Sequence, residues 1–150
     1  MPDSSTEVRL REITEETLSS VLKLEVTEEQ RKFVASNAVS IAQAHFSDYA
    51  WFRGIYSGDT PVGFVMLHVD EGKPEYYLWR FMIDKGYQGN GYGREALSRV
   101  IEHVRGLPRA KELFASYVPK ENGPGPFYAK LGFQETGELD GSERVIKLML

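Results

Sequence analysis

The feature that most limits the fold lies in the middle of the chain. Gly89, Gly91 and Gly93 stand at alternate positions between a strand-like run, Tyr76 to Ile83, and an apolar stripe of helical spacing, Leu97, Val100, Ile101 and Val104. A strand that turns sharply into an amphipathic helix brings unpaired N–H groups to the positive end of the helix dipole. Phosphate oxygens are the natural occupants of such a turn, and glycine leaves them room to approach the backbone. A turn that only packs a loop against a helix would carry the same glycines, so spacing alone leaves both readings open.

The flanks narrow the choice. Val8 to Ile13 alternates as a first strand, and Thr14 offers a helix cap followed by Glu15 and Glu16, although Thr17 stands where a full capping box has glutamate. From Thr27 onward, Phe33, Val34, Ala38 and Ile41 recur at three- and four-residue intervals and predict a second helix. Trp51 to Tyr56 and Val62 to Val69 read as strands joined through Ser57-Gly58-Asp59-Thr60-Pro61. The glycine helix stops near Gly106 and Pro108. A strand at Leu113 to Val118, a short helix at Pro126 to Leu131 and a closing hairpin, Phe133 to Leu139 with Arg144 to Leu148, follow.

The order β-α-α-β-β-β-α-β-α-β-β mixes hairpins with helical crossovers. It predicts an α/β fold in the broad, α+β sense: one domain over residues 1–150, with a mixed, mostly antiparallel sheet flanked by helices. A doubly wound parallel sheet is disfavoured, and with it the reading of Gly91-Tyr92-Gly93-Arg94-Glu95-Ala96 as a dinucleotide fingerprint. No Gly-Lys-Ser/Thr is present for a triphosphate loop.

Composition closes further routes. Without cysteine there is no disulfide, thiolate metal site or cysteinyl acyl-enzyme. Met1 to Leu10 has no signal-like pattern and no apolar run is long enough to cross a bilayer, so the cytoplasm is the expected location and no membrane partner is expected. The net charge of −4 argues against nucleic acid as a partner. Up to residue 30, eight acidic residues face three basic ones, whereas residues 85–130 hold eight basic against four acidic. That field suits an anionic ligand at the glycine turn and a cationic one elsewhere, unless both runs are simply solvated faces.

At this point the residues resemble a family. Gln88-Gly89-Asn90-Gly91-Tyr92-Gly93 resembles the Gln/Arg-x-x-Gly-x-Gly/Ala motif of the GNAT superfamily of N-acetyltransferases. Arg80-Phe81-Met82-Ile83-Asp84 before it and Phe127-Tyr128-Ala129-Lys130-Leu131-Gly132-Phe133 after it resemble the family's two other marks. The likeness in element order spans nearly the whole chain, by pattern rather than motif in the first 50 residues. The overall style, including Thr136-Gly137-Glu138-Leu139, looks most like bacterial spermine and spermidine acetyltransferases.

The resemblance implies acetyl-coenzyme A as cosubstrate. Its pyrophosphate would lie on the amides of Gln88, Gly89, Asn90, Gly91, Tyr92, Gly93 and Arg94, and its pantetheine beside Phe81, Met82 and Ile83. Lys130 and Asn122 are further expected contacts, although Asn122 is six residues before Tyr128 where the family often has its asparagine seven before. The Met82 N–H would stabilise the oxyanion, a donor worth roughly 2.7 to 4 kcal/mol. Tyr128 matches the family's tyrosine and would act as general acid toward the departing thiolate; packing the short helix is its bland alternative.

The general base stays open between Glu75 at the start of the coenzyme strand, Glu28 or Glu29, Tyr117, and a water chain. Candidate acceptor contacts are Glu28, Glu29, Gln30, Asn37 and Trp79. Gln30, Phe33 and Asn37 would share one helix face, and Trp79 and Arg80 would point to opposite faces of their strand. His45, His68 and His103 have no metal-ligand spacing. The expected reaction moves acetyl to a primary amine, a polyamine or another small cation. The rivals are a protein N-terminus or lysine as acceptor, and a non-catalytic module that senses acyl-coenzyme A. The sequence leaves the assembly open, with a homodimer through the C-terminal hairpin or an exposed sheet edge as one arrangement.

Overall fold

The structure, a computed structural model, describes residues 7–150. Met1 to Thr6, part of the stretch read for a targeting signal, lie outside the described residues. The chain runs β1 (Val8–Arg11), α1 (Glu15–Leu22), α2 (Asn37–His45), β2 (Ala50–Ser57), β3 (Thr60–Asp70), β4 (Glu75–Ile83), α3 (Tyr92–Arg105), β5 (Glu112–Tyr117), α4 (Gly125–Lys130), β6 (Gln134–Asp140) and β7 (Glu143–Met149). The strands form one sheet in the order β1-β2-β3-β4-β5-β7-β6. Its neighbours are antiparallel except β4 and β5, where α3 carries the chain back so that both strands run the same way.

Each face of the sheet has its own core. On one face, Val65, Leu67, Tyr76 and Leu78 meet the buried stripe of α3, formed by Ala96, Leu97, Val100 and Val104. Removing each of the valine and leucine side chains among them from water contributes about 1.5–3 kcal/mol. On the other face, Val21 of α1 and Ala44 of α2 cover Phe64, Met66 and Met82. Among the described residues no helix is long and apolar enough to cross a membrane.

Two expectations about local structure fail. The second helix does not run on from Thr27. A 3-10 turn occupies Gln30–Lys32, and α2 starts afresh because Ser36, with extended backbone, caps it by accepting the Val39 N–H at 3.2 Å. Gln30, Phe33 and Asn37 therefore do not share a helix face. In α1 the departure is milder: the Thr17 hydroxyl accepts the Thr14 N–H at 2.9 Å, taking the place of the missing glutamate.

The second failure concerns β4. Its register with β3 slips between Met66 opposite Arg80 and Leu67 opposite Leu78, leaving Trp79 as an extra, bulged residue. A bulge breaks the two-residue alternation. Tyr76 and Leu78 before it and Phe81 and Ile83 after it all reach the α3 core, although their numbers differ in parity. Trp79 packs into the α1/α2 core and Arg80 donates to Gln43 of α2 at 3.0 Å. These two side chains lie on the same face, not on opposite faces.

Candidate active site

The glycine turn is built so that its amides stay free. Asn90 Nδ2 folds back to the carbonyls of Tyr87 and Gln88 at 3.1 and 3.2 Å, and Gln88 Nε2 donates to the Ile83 carbonyl and to Gln30 Oε1, both at 2.9 Å. Side-chain amides thus hold the carbonyls inward. The backbone N–H groups of Gln88 through Arg94 meet no acceptor among the described residues, and Gly91 caps α3 without any side chain. Gly89 and Gly91 have φ of 81° and 82°, and a Cβ on either would meet no protein atom within 4 Å. The turn is an open cradle of donors at a helix N-terminus, fitted to a phosphate.

Beside it the sheet opens. β4 and β5 share one register pair, Tyr77 with Phe114, and beyond it the strands part. The cleft between them has a volume of about 850 Å³, within the span of about 300–1,000 Å³ usual for ligand sites. Its lining runs from Gln88, Gly89, Gly91, Tyr92, Gly93 and Arg94 along Phe81, Met82 and Ile83 to Tyr128. Such a slot, wedge-shaped with phosphate donors at one end, accepts a long pantetheine-like chain.

Tyr128 lines the same cleft. α4 orients it: its N–H donates to Pro124 at 3.2 Å, and its ring packs edge-on against Phe127 and Phe133 with centroids 5.5 and 5.4 Å apart. Burial, and then the negative charge of Glu143, push its phenol up to about 12, so it keeps its proton throughout the neutral range. Phe127 stacks on Phe81 at 6.2 Å and packs α4 onto β4.

Comparison with known proteins decides the family. The model of the "Acetyltransferase (GNAT) family" matches residues 9–133. The chain belongs to that family. This GNAT chain is accordingly an acetyl-coenzyme A-dependent N-acetyltransferase. It is 30% identical over 139 residues to the spermine/spermidine N(1)-acetyltransferase of Bacillus subtilis strain 168, covering 89% of this chain and 91% of that protein. A GNAT acetyltransferase from Elizabethkingia anophelis with acetyl-CoA bound shares the fold at a TM-score of 0.70 and 14% identity, over 96% of this chain and 99% of that one. So does the PaiA N-acetyltransferase of Thermoplasma acidophilum in complex with coenzyme A, at 0.67 and 17%, over 96% and 99%.

In this GNAT chain several expected contacts fall elsewhere. Lys130 is exposed and does not line the cleft, and neither does Asn90, whose side chain is turned back onto the Tyr87 and Gln88 carbonyls. Asn122 does line it, in left-handed conformation with φ 59°. The Met82 amide is turned the wrong way for an oxyanion donor. A Cβ on Gly63 would strike the Met82 carbonyl, and the Asp84 N–H donates to Val62 of β3 at 2.8 Å, while the Ile83 carbonyl takes its bond from Gln88. Amides alternate along a strand, so those of Phe81 and Ile83 face the cleft and that of Met82 faces β3.

Among acceptor candidates, Gln30 and Trp79 line the cleft. Asn37 is in the core, where its Nδ2 donates to the Val21 carbonyl at 2.9 Å. Glu28 and Glu29 are exposed outside it, Glu29 lying 3.8 Å from Lys120 at the rim. Glu75 sits at the opposite end of β4, against a second cavity of about 660 Å³. The Tyr117 hydroxyl is engaged with Glu135 at 3.3 Å.

Unforeseen residues occupy the inner end instead: Tyr77, Ser116, Asp140 and Glu143. The β6–β7 hairpin sets Asp140 directly opposite Glu143 around Gly141, whose φ is 62°. The turn-forming Asp140-Gly141-Ser142-Glu143 was visible as a hairpin signal, but nothing local said that β7 would pair with β5 and carry the turn to the cleft. Among the described residues no group of His, Asp and Glu could hold a metal.

Proposed function

We propose that the protein acetylates a primary amine of a polyamine or another small cation. The observation that carries this reading is the division of the cleft. One end offers unpaired amides and Arg94 to a pyrophosphate, and the other sets the carboxylates of Asp140 and Glu143 beside Tyr128. Like charges opposed across a hairpin are locally unfavourable, and a bound ammonium group relieves them. The spermine/spermidine acetyltransferase of B. subtilis supports the same class of acceptor.

In this reading the thioester supplies an activated acetyl group, and the chain's own groups do the rest. The turn anchors the coenzyme. The Phe81 amide, cleft-facing and two residues before the Ile83 carbonyl that Gln88 engages, takes the role of oxyanion donor. The Tyr128 phenol, still protonated at neutral pH, supplies the proton to sulfur.

The test is thiol release from acetyl-coenzyme A in the presence of spermidine, spermine, aminoglycosides, amino acids and peptides. Polyamine-dependent release is expected. Release with peptides alone would favour a protein acceptor, and tight coenzyme binding with no release would favour a sensor module. Tyr128→Phe should lower kcat about 100-fold or more with coenzyme affinity little changed.

A further inference from the structure

The base left open by the sequence has a structural candidate. We propose that Glu143 is the general base that deprotonates the acceptor amine, with Ser116 as its positioning residue; this rests on the acetyl-transfer reading. Glu143 opens β7, is half-buried, and lines the inner end of the cleft together with Tyr128. The Ser116 hydroxyl donates to its Oε1 at 3.2 Å, which fixes one oxygen and leaves the other for an incoming ammonium group. Its partner across the hairpin, Asp140, lines the same end but is exposed, so it is suited to attract a cation rather than to hold a proton.

The groups facing Glu143 come from every element around it: Tyr77 and Arg80 of β4, Ser116 of β5, Tyr128 of α4 and Asp140 of β6. Tyr128 and Tyr77 are both raised, chiefly by burial, and the charge of Glu143 adds to each. Glu143 and the phenol assigned to the sulfur line the same cleft, which puts a base and an acid on one reaction chamber. The carboxylates proposed from sequence have no such place.

The proton balance closes. The ammonium group gives one proton to the Glu143 carboxylate, and the neutral nitrogen forms the C–N bond at the thioester carbonyl. As the C–S bond breaks, Tyr128 protonates the sulfur, and its phenolate recovers the second proton shed by the new amide nitrogen. Glu143 then releases its proton to solvent, leaving an N-acetyl amine and coenzyme A thiol.

The experiment compares wild type, E143Q, E143D and S116A with spermidine and with an arylamine that is already neutral at assay pH. E143Q should lose about 100-fold or more in kcat with spermidine, and regain about tenfold per pH unit as solvent takes over deprotonation. Its loss with the arylamine should be under about tenfold, E143D should recover part of the spermidine rate, and S116A should lose less than E143Q. Calorimetric titration with coenzyme A, expected to match wild type, reports that the fold is intact. Equal losses with both amines, or a wild-type rate and pH profile in E143Q, would overturn the assignment of Glu143 while leaving acetyl transfer standing. A wild-type protein inactive toward every amine overturns the transfer reading and this one with it.

Discussion

Tyr128 shows how one side chain links stability to chemistry. Its phenol is raised to about 12 by burial, above the ordinary value of 10.0. The folded state therefore holds a proton that the unfolded state releases first. The resulting stabilisation is complete below pH 10.0 and is lost as pH rises through about 12. Tyr128→Phe should flatten that part of the alkaline stability profile, seen by denaturant melts of both proteins between those limits. Asn37 makes the contrasting case. Asn37→Ala leaves the buried Val21 carbonyl without its donor and should cost about 1–3 kcal/mol in a urea melt, while the KM for the amine stays near wild type. A selective rise in KM without loss of stability would restore Asn37 to the acceptor site.

At the scale of elements, the join between β4 and α3 works through backbone direction. Gly91 is in the left-handed region and caps the helix, and Gly91→Ala should destabilise by about 1–2 kcal/mol and weaken coenzyme A binding, both measurable by melts and calorimetry. Gly93, by contrast, would bring a Cβ only into ordinary contact with Phe127 and Ile83, at 3.5 and 3.6 Å. The bulge at Trp79 acts on direction too. By shifting parity it lets β4 serve the α3 core along its whole length and turns the Phe81 and Ile83 amides toward the cleft. Nothing in Leu78-Trp79-Arg80 announces a bulge, because it is a property of the pairing with β3. The helix break at Ser36 is different: a serine before Asn37 was a readable cap signal, outweighed by apolar periodicity that ran through it.

Over the whole molecule the charges are arranged along one slot. Arg94 lines its phosphate end, Lys120 its rim beside Glu29, Asp140 and Glu143 its acceptor end, and Glu75 and Glu138 edge the adjoining cavity that shares Tyr77, Trp79 and Asp140 with it. A cation approaching the inner end meets a field that salt screens over about 10 Å at 0.1 M. The kcat/KM for spermidine should fall as salt rises from low to physiological strength, and that for a neutral arylamine should change far less. Equal salt dependence for the two amines would remove steering from the account. The β6 edge carries Glu135, Glu138 and Asp140 and a register shift at Glu135/Leu139, features that hinder strand addition by another chain.

Read by themselves, the residues establish the order of elements, the glycine turn, the tyrosine of α4 and the family, because each is written within a short stretch whose spacing and turn chemistry are local. The tertiary structure decides which amides face the cleft, which carboxylates reach it and which polar side chain is buried instead. Those are questions of register and strand pairing: β7 meets β5 across the whole of residues 118–142, and the two-residue alternation within a strand does not say which distant strand it will pair with. The glutamates weighed from the sequence, Glu28, Glu29 and Glu75, end up outside the slot, and Glu143 is placed in it by the hairpin and by Ser116.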